Sequence, residues 1–109
     1  MKSGFIYLLR CSDNTYKIGA SKNNPKDRVK LLQTGNSKTI TLVNYFQCDK
    51  YYRVEKMLHK KYIQNKTETD NEWFKLKIKQ VRSFHEDCAT ICENMTYVYE
   101  VNNFLLDKR

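Results

Sequence analysis

The chain has 109 residues, which is the size of one domain and too short for two independent hydrophobic cores. Its composition, with 40% hydrophobic and 29% charged residues but only three glycines and one proline, is typical of a globular protein and excludes a disordered or fibrous one. No apolar run approaches the roughly 20 residues that cross a bilayer, and the N-terminus lacks the small-residue cleavage site of a signal peptide. We therefore expect a soluble intracellular protein, in the cytoplasm or nucleus, with no membrane partner.

The net charge of +8 is concentrated in one part of the chain. Residues 1–62 have a balance of +9, whereas residues 63–109 have a balance of −1. A basic patch of this kind suits a phosphate-rich partner such as DNA. A solvated lysine-rich surface has the same composition, so the charge alone does not decide the function.

The four cysteines predict free thiols and no structural zinc site. None forms a Cys-x-x-Cys pair, and the two histidines are not spaced beside them as zinc ligands. Cys88 and Cys92 are four residues apart, which places both on one face of a helix, where thiols pack as small hydrophobic groups. We expect a reduced chain without a structural zinc site.

Three segments have the composition of β-strands. Residues 4–10 and 16–20 flank a stretch rich in Ser, Asp and Asn, and together they predict an antiparallel hairpin. Residues 39–46 are rich in β-branched and aromatic side chains and predict a third strand. Residues 72–76 form a short apolar segment after a polar, turn-like stretch.

The first helix is predicted over residues 25–34. Asn24 precedes it as a capping residue, a proline occupies the first helical position, and Gly35 follows as a left-handed terminator. Arg28 lies beside the apolar stripe of this helix, which consists of Val29 and Leu32.

Two further helices and a tail complete the pattern. Asp49 is predicted to cap a second helix that continues to about Ile63, and Glu55 and His59 form an i, i+4 pair on its flank. A third helix is predicted from Lys77 to about Asn94. The tail over residues 97–106 is apolar enough to pack on the domain as a strand or as a helix. The apolar stripe of the second helix consists of Tyr51, Val54, Leu58 and Tyr62.

Several short pieces of the sequence fall in the order of a known family. They are Gly4-Phe5-Ile6-Tyr7, Tyr16-Lys17-Ile18-Gly19-Ala20-Ser21, Arg28, Leu32-Gln33-Thr34-Gly35-Asn36, Glu55, His59 and Glu72-Trp73-Phe74. Each piece is a weak signal, but the ordered set over about residues 4–76 resembles the GIY-YIG nuclease superfamily. It is similar in particular to the compact branch found in phages and large DNA viruses, which carries Tyr-Lys-Ile-Gly and a terminal Glu-Trp-Phe.

The resemblance implies a fold and a domain organisation. We expect an α/β (α+β) fold of the GIY-YIG nuclease-like kind, with a small three-stranded, mainly antiparallel sheet flanked by helices and followed by a C-terminal helix and tail. Residues 1–76 would form the nuclease-like domain. Residues 77–109, which the resemblance does not explain, would pack on the same domain.

The resemblance also implies hydrolysis of a DNA phosphodiester bond with one divalent metal ion, Mg²⁺ or Mn²⁺. Tyr7 matches the general base of the family, Arg28 the arginine that stabilises the phosphate, and Glu55 the metal ligand. Lys17 stands where many relatives have a second tyrosine. Its ammonium group would favour the phenolate form of Tyr7 or hold the scissile phosphate, so we include it among the catalytic residues. The alternative interpretation is a packed strand tyrosine among ordinary charged surface residues.

Three further residues are candidates for substrate contact. Tyr16 either faces the substrate or packs beneath the hairpin, and packing is the interpretation we favour. Ser21 would bond a phosphate or shape the turn. His59 would orient a water molecule at the metal, contact phosphate or cap the hydrophobic face.

Other positions have expected structural roles. Gly19 is expected to allow close approach between strand and helix, and Trp73 and Phe74 are expected to close the core. The asparagine that many relatives carry near the end of the module has no evident counterpart, and we assign no role to Asn71.

The leading hypothesis is a DNA endonuclease of modest specificity. Its specificity would come from residues 77–109, from a homodimer or from an accessory protein. The alternative, motivated by Lys17 and the missing asparagine, is a nucleic-acid-binding module without turnover, whose binding would depend steeply on salt. A third hypothesis is an interaction domain that dimerises through the third helix and tail. We favour the interpretation that this apolar surface completes the monomer core; it contains Cys88, Cys92, Tyr97, Tyr99 and Phe104.

Overall fold

The computed structural model of the protein describes residues 3–67 and 73–107. The three predicted strands and the first two predicted helices are present, with ends that differ from the prediction by one or two residues. In chain order the elements are β1 (Gly4–Cys11), β2 (Tyr16–Ser21), α1 (Pro25–Gln33), β3 (Ile40–Cys48), α2 (Tyr51–Lys61), a 3₁₀ turn (Ile63–Asn65), β4 (Trp73–Phe74), α3 (Ile78–Arg82) and α4 (Phe84–Asp107).

The strands form one four-stranded antiparallel sheet in the order β3-β1-β2-β4. The α/β class is confirmed, but the predicted number of three strands is wrong. The additional strand is β4, whose residues Trp73 and Phe74 pair with Lys17 and Tyr16 of β2. A two-residue strand is too short to show the alternation of apolar and polar residues that identifies strands in a sequence.

Strand β3 contains a β-bulge at Val43. Consecutive residues of β1 pair there with Leu42 and Asn44, so Val43 is an extra residue without a partner in β1. Because side chains alternate between the two faces of a strand, one extra residue shifts the alternation. Leu42 and Tyr45 therefore lie on the same face of the sheet, although they are three residues apart.

One face of the sheet packs against helix α1, and we call it the α1 face. Its buried cluster consists of Tyr7, Leu9 and Ile40, against which Val29 and Leu32 of the helix pack. Both predicted inward residues of α1 therefore contact the sheet.

Short-range signals at the two ends of α1 are confirmed. Asn24 Oδ1 accepts a hydrogen bond of 2.9 Å from Lys26 N, and Pro25 is the first helical residue. Gly35 follows the helix with a φ of +78°, a conformation that glycine adopts without steric cost.

The other face of the sheet packs against helices α2 and α4, and we call it the α2 face. Ile6, Leu8 and Ile18 project from the sheet into this larger cluster, which also contains Phe84 and Cys88 from α4. All members of the predicted α2 stripe are buried there, namely Tyr51, Val54, Leu58 and Tyr62.

The start of α2 differs from the prediction. Lys50, not Asp49, occupies the N-cap position, and its side chain makes no capping hydrogen bond. The backbone N–H of Lys50 instead lies 3.2 Å from the Sγ of Cys48, the last residue of β3.

The C-terminal region forms two helices where the sequence predicted one helix over residues 77–94. The helices α3 and α4 are separated at Ser83, and α4 continues to Asp107. The tail is therefore helical, which decides between the two conformations that its sequence allowed. The side chains of Tyr97, Tyr99 and Phe104 lie outside the described residues. Within residues 3–67 and 73–107, none of the helices combines the length and hydropathy that a transmembrane span requires.

The carboxylate of Asp87 joins the first turn of α4 to the end of α2. It accepts hydrogen bonds from the hydroxyl of Tyr62 and from Ser83 Oγ, the latter at 3.2 Å, and it lies 3.3 Å from Lys61 Nζ. Burial, and then the bond to Asp87, raises the pKa of Tyr62 well above its usual range. The neutral phenol is therefore the form that the fold stabilises.

All four cysteines are free thiols, as predicted. The Sγ atoms of Cys48 and Cys92 are 3.2 Å apart, where β3 ends against α4. Burial raises the pKa of Cys48 to about 11 and that of Cys88 to about 12. Both sulfurs therefore remain protonated at neutral pH and pack as small apolar groups.

Candidate functional site across strand β2

Tyr7 and Gly19 are directly opposite each other in the β1–β2 ladder. Tyr7 is 2% exposed, and a Cβ atom added to Gly19 would overlap the hydroxyl and ring carbons of Tyr7. The ring therefore lies across β2 in the space that a side chain at position 19 would fill. The close approach that we expected at Gly19 is confirmed, but the approaching group is this ring and not a helix.

Arg28 lies on the side of α1 that faces the sheet. It is one helical turn after the buried Pro25 and one turn before Leu32, which packs on the α1 face. The residue is half-buried, and its Nε is buried without a hydrogen-bond partner among the described residues. A buried N–H of this kind is costly unless a ligand or water satisfies it.

Lys17 and Ser21 also lie on the α1 face. Lys17 is opposite Leu9 and Ser21 is opposite Phe5, and both partners are on the same side of β1 as Tyr7. Lys17 Nζ is 5.7 Å from the centroid of the Trp73 ring, which is a cation–π contact. Ser21 Oγ accepts a 3.1 Å hydrogen bond from Asn23 N and so shapes the turn into α1.

Trp73 differs in part from its expected role. Phe74 is fully buried and closes the core as predicted, whereas Trp73 is half-buried and holds the Lys17 side chain. Glu72, the first residue of the terminal Glu-Trp-Phe motif, and Asn71 lie outside the described residues.

Helix α2 reaches strand β2 from the opposite face through His59. His59 Nε2 lies 2.8 Å from the carbonyl oxygen of Ile18, and the imidazole ring packs edge-to-face on Phe74 with centroids 5.0 Å apart. Because a carbonyl oxygen only accepts, Nε2 carries the hydrogen and donates it. This geometry favours the interpretation that His59 caps the hydrophobic face, since the ring packs on the buried Phe74 and Nε2 is engaged by the backbone.

Glu55 is held beside this contact. Its Oε1 is 3.7 Å from His59 Nε2, and the Glu55 side chain is 20% exposed. The carboxylate therefore lies next to the backbone of β2 while remaining accessible to solvent. Tyr16 is also on the α2 face, where it packs against the core, in agreement with the interpretation that we favoured for it.

The predicted site residues thus form two groups that meet at strand β2. Tyr7, Lys17, Ser21 and Arg28 belong to the α1 face, whereas Glu55, His59 and Tyr16 belong to the α2 face.

The two groups contact consecutive residues of β2, Ile18 and Gly19, from opposite faces. The Tyr7 ring lies over Gly19 on one face, and His59 with Glu55 is attached at Ile18 from the other. In the described residues, β4 pairs with Tyr16 and Lys17 and so ends beside this point. The candidate site residues therefore lie on both faces of β2.

The role of the Ile18 carbonyl is what sequence reasoning missed. Every residue has a backbone carbonyl, so the sequence does not indicate which carbonyl oxygen accepts a hydrogen bond from a side chain. Only the i, i+4 spacing of Glu55 and His59 indicated that the two side chains act together.

A pocket of about 360 Å³ lies elsewhere, near the β1–β2 turn. Its walls include Asp13, Lys38 and Trp73, and none of the predicted site residues lines it. Lys38 Nζ is 2.7 Å from Asp13 Oδ2. The hydrogen bond from Lys38, and then those from Thr15, hold the pKa of Asp13 well below its usual range. The ammonium group of Lys38 and the carboxylate of Asp13 in this pocket are paired with each other, so we do not place the functional site there.

The donor set at β2 fits a weakly held divalent ion and not a preformed metal centre. Residues 3–67 and 73–107 contain no group of three or more His, Cys, Asp or Glu side chains that could hold a metal. Mg²⁺, however, keeps several waters and binds through one or two carboxylates when substrate phosphates complete its coordination. Glu55 can supply one such carboxylate.

Comparison with known proteins identifies a domain family. The model of the T5orf172 domain matches residues 4–89. This domain is found in phage proteins and is associated with GIY-YIG-like, nuclease-type folds, although the GIY-YIG family itself gives no direct match. No curated protein and no solved structure matches the chain.

Proposed function

Because this chain belongs to the T5orf172 domain family, a nuclease-like or DNA-binding module, we propose that it is an endonuclease of the GIY-YIG type. It hydrolyses phosphodiester bonds in DNA with the help of Mg²⁺ or Mn²⁺. The observation that carries this proposal is that the Tyr7 ring lies over Gly19 while the Glu55–His59 pair is attached at the neighbouring residue Ile18. The proposed base Tyr7, the Glu55 carboxylate and the phosphate-binding surface around Arg28 then lie on either side of the same part of β2.

Tyr7 acts as the general base in this proposal. Its phenolate oxygen takes a proton from the attacking water while a new P–O bond forms and the P–O bond to the leaving sugar breaks. The ring is fixed by burial and by the absence of a side chain at Gly19, so the oxygen has one position relative to β2. Lys17, on the same face, holds the phosphate with its ammonium group.

Arg28 binds the scissile phosphate. Its guanidinium fork matches two phosphate oxygens and stabilises the charge that grows on them. The positive balance of residues 1–62 attracts DNA to the protein.

Glu55 provides the protein's ligand for the divalent ion, and His59 positions the helix that carries it. Mg²⁺ or Mn²⁺ bound there supplies Lewis-acid stabilisation of charge on the phosphate. Since one carboxylate holds such an ion weakly, metal binding by this protein depends on DNA.

Plasmid cleavage tests the proposal. Supercoiled DNA is incubated with the wild type, with Glu55→Ala and with Glu86→Ala, in Mg²⁺ and in Mn²⁺, and relaxed and linear products are quantified. Glu86 is an exposed carboxylate on α4 and serves as the matched control. We expect Glu55→Ala to abolish cleavage and Glu86→Ala to leave it unchanged. Unchanged cutting by a folded Glu55→Ala protein would refute the assignment.

A second candidate is a DNA-binding module without turnover. The contact between Lys17 and Trp73 favours it, because an ammonium group held over an indole ring at this position is a binding feature that needs no chemistry. It predicts binding that weakens steeply with salt, by a slope of roughly −0.9 per phosphate contact in a plot of log K against log salt, and no cleavage products with any metal.

A further inference from the structure

Part of the α1 face is exposed to solvent beside the residues that pack on helix α1. Val29 and Leu32 pack against the buried cluster of Tyr7, Leu9 and Ile40, whereas Tyr45 is exposed. Phe5 and Tyr45 lie on the same side of the sheet as Tyr7, because Tyr45 is directly opposite Tyr7 in the β1–β3 ladder.

Phe5 and Tyr45 form an aromatic pair on this open surface. Their ring centroids are 5.9 Å apart with an interplanar angle of 67°, which is an edge-to-face contact. Tyr45 is 46% exposed. The contact with Phe5 therefore limits the orientations of the Tyr45 ring, which faces solvent.

We propose that Phe5 and Tyr45 form a stacking platform for an unpaired nucleobase next to the phosphate bound at Tyr7. This inference rests on the function proposed above and specifies the substrate as single-stranded or locally unpaired DNA. Bases in a duplex are already stacked on their neighbours, whereas an unpaired base exposes a π-face that an aromatic side chain can cover.

Two further observations support a nucleobase as the occupant. The platform is continuous with the candidate site, since Tyr45 and Phe5 adjoin Tyr7 across and along the ladder. Residues 1–62, which form β1, β2, β3, α1 and α2, carry the positive balance that suits a phosphate backbone. Sequence-tolerant binding of single strands combines these two features, a basic surface and exposed aromatic rings.

Binding of labelled oligonucleotides tests the platform. The probes are a 12-mer of deoxythymidine, a 12-mer in which every nucleotide is abasic, and a blunt duplex, each measured by fluorescence anisotropy without metal. The proteins are the wild type, Tyr45→Ala and Tyr52→Ala. Tyr52 is the matched control, because it is a 56% exposed tyrosine on α2, which packs on the opposite face of the sheet.

We expect Tyr45→Ala to weaken binding of the single strand by about 5- to 150-fold, the effect of losing one base–aromatic stack. Binding of the duplex should not change, and the abasic strand should bind the wild type and Tyr45→Ala equally. The salt dependence of single-strand binding should keep its slope, because no phosphate contact is lost. Tyr52→Ala should behave as the wild type.

The outcomes separate this inference from the proposed function. Equal binding of the single strand by Tyr45→Ala and Tyr52→Ala would overturn the platform and leave the nuclease proposal standing, as would a wild type that cleaves plasmid but binds no single strand. A Tyr45-dependent preference for the single strand in a protein that cleaves nothing would support the platform and refute the nuclease. Absence of both binding and cleavage would overturn both.

Discussion

His59 Nε2 donates a 2.8 Å hydrogen bond to the carbonyl oxygen of Ile18, and this bond attaches helix α2 to strand β2. It satisfies a strand carbonyl just beyond the residues with which β4 pairs. The same contact holds Glu55 beside the strand that supports Tyr7 on its other face. One side chain thus links the position of the carboxylate to the position of the phenol.

Replacement of His59 by alanine should destabilise the fold. The variant loses the bond to Ile18 and the edge contact with Phe74, which together contribute about 1–3 kcal/mol to the free energy of unfolding. Urea denaturation gives the comparison. His85→Ala is the matched control. His85 is exposed, and its ring contacts Phe46. Equal destabilisation by the two variants would contradict the role of the hydrogen bond.

Gly19→Ala should also destabilise the protein. In a strand this change normally improves stability, by roughly 0.5–1 kcal/mol, because alanine loses less conformational freedom than glycine. Here the new methyl group overlaps the Tyr7 ring, so we expect a net loss of about 1–3 kcal/mol.

The displaced ring provides a second measurement for Gly19→Ala. Plasmid cleavage should fall together with stability, because the Tyr7 oxygen no longer occupies its place over β2. Thr41→Ala, at an exposed position of β3, controls for a small change in strand propensity. A Gly19→Ala protein as stable as the wild type would show that the ring does not fill this space.

Stability should decline at alkaline pH through Tyr62. Its pKa is raised in the folded state, so the contribution to stability is complete below the unfolded value of about 10 and is lost as pH rises from there toward the folded value. One such group changes the free energy of unfolding by at most about 1.4 kcal/mol per pH unit.

Tyr62→Phe should remove this part of the pH dependence. It also removes the hydrogen bond to Asp87, which should cost about 1–3 kcal/mol at neutral pH. Urea denaturation at several pH values between neutrality and pH 11 measures both effects. An unchanged alkaline slope in Tyr62→Phe would contradict this explanation.

The carboxyl group of Asp13 should remain ionised at unusually low pH. Its pKa is lowered by the hydrogen bond from Lys38 and then by those from Thr15, so the pair contributes to stability above the unfolded carboxyl value and is lost as pH falls through the folded one. In Lys38→Met, NMR titration of the Asp13 carboxyl carbon should show a higher pKa that stays below the usual range, because the bonds from Thr15 remain. The same pKa in both proteins would refute the assignment.

How much of the structure could be predicted depends on the range of the interactions that produce it. Helix α1 was predicted nearly to the residue, because the Asn24 cap and the left-handed Gly35 act within one turn of its ends. The buried stripe of α2 was equally clear from its spacing. These signals are local and therefore visible in a sequence.

The features that were missed depend on distant parts of the chain. Strand β4 exists because β2 offers it a free edge, and nothing in two residues indicates that edge. The break between α3 and α4 at Ser83 lets the Asp87 carboxylate accept a hydrogen bond from the hydroxyl of Tyr62, which is 25 residues earlier in the chain. In the candidate site, the identities of Tyr7, Arg28 and Glu55 came from the family pattern. Their distribution over two faces of one strand became visible only in the fold.

The extra residue at Val43 has a consequence for insertions and deletions in β3. A strand without it would restore strict alternation, so Leu42 and Tyr45 would point in opposite directions. Either the apolar contact beneath α1 or the aromatic ring beside Tyr7 would then be lost, whatever residues occupied the strand. The number of residues between these two positions therefore constrains the protein as strongly as their chemistry, and a one-residue deletion there should be tolerated less well than most substitutions of Val43 itself.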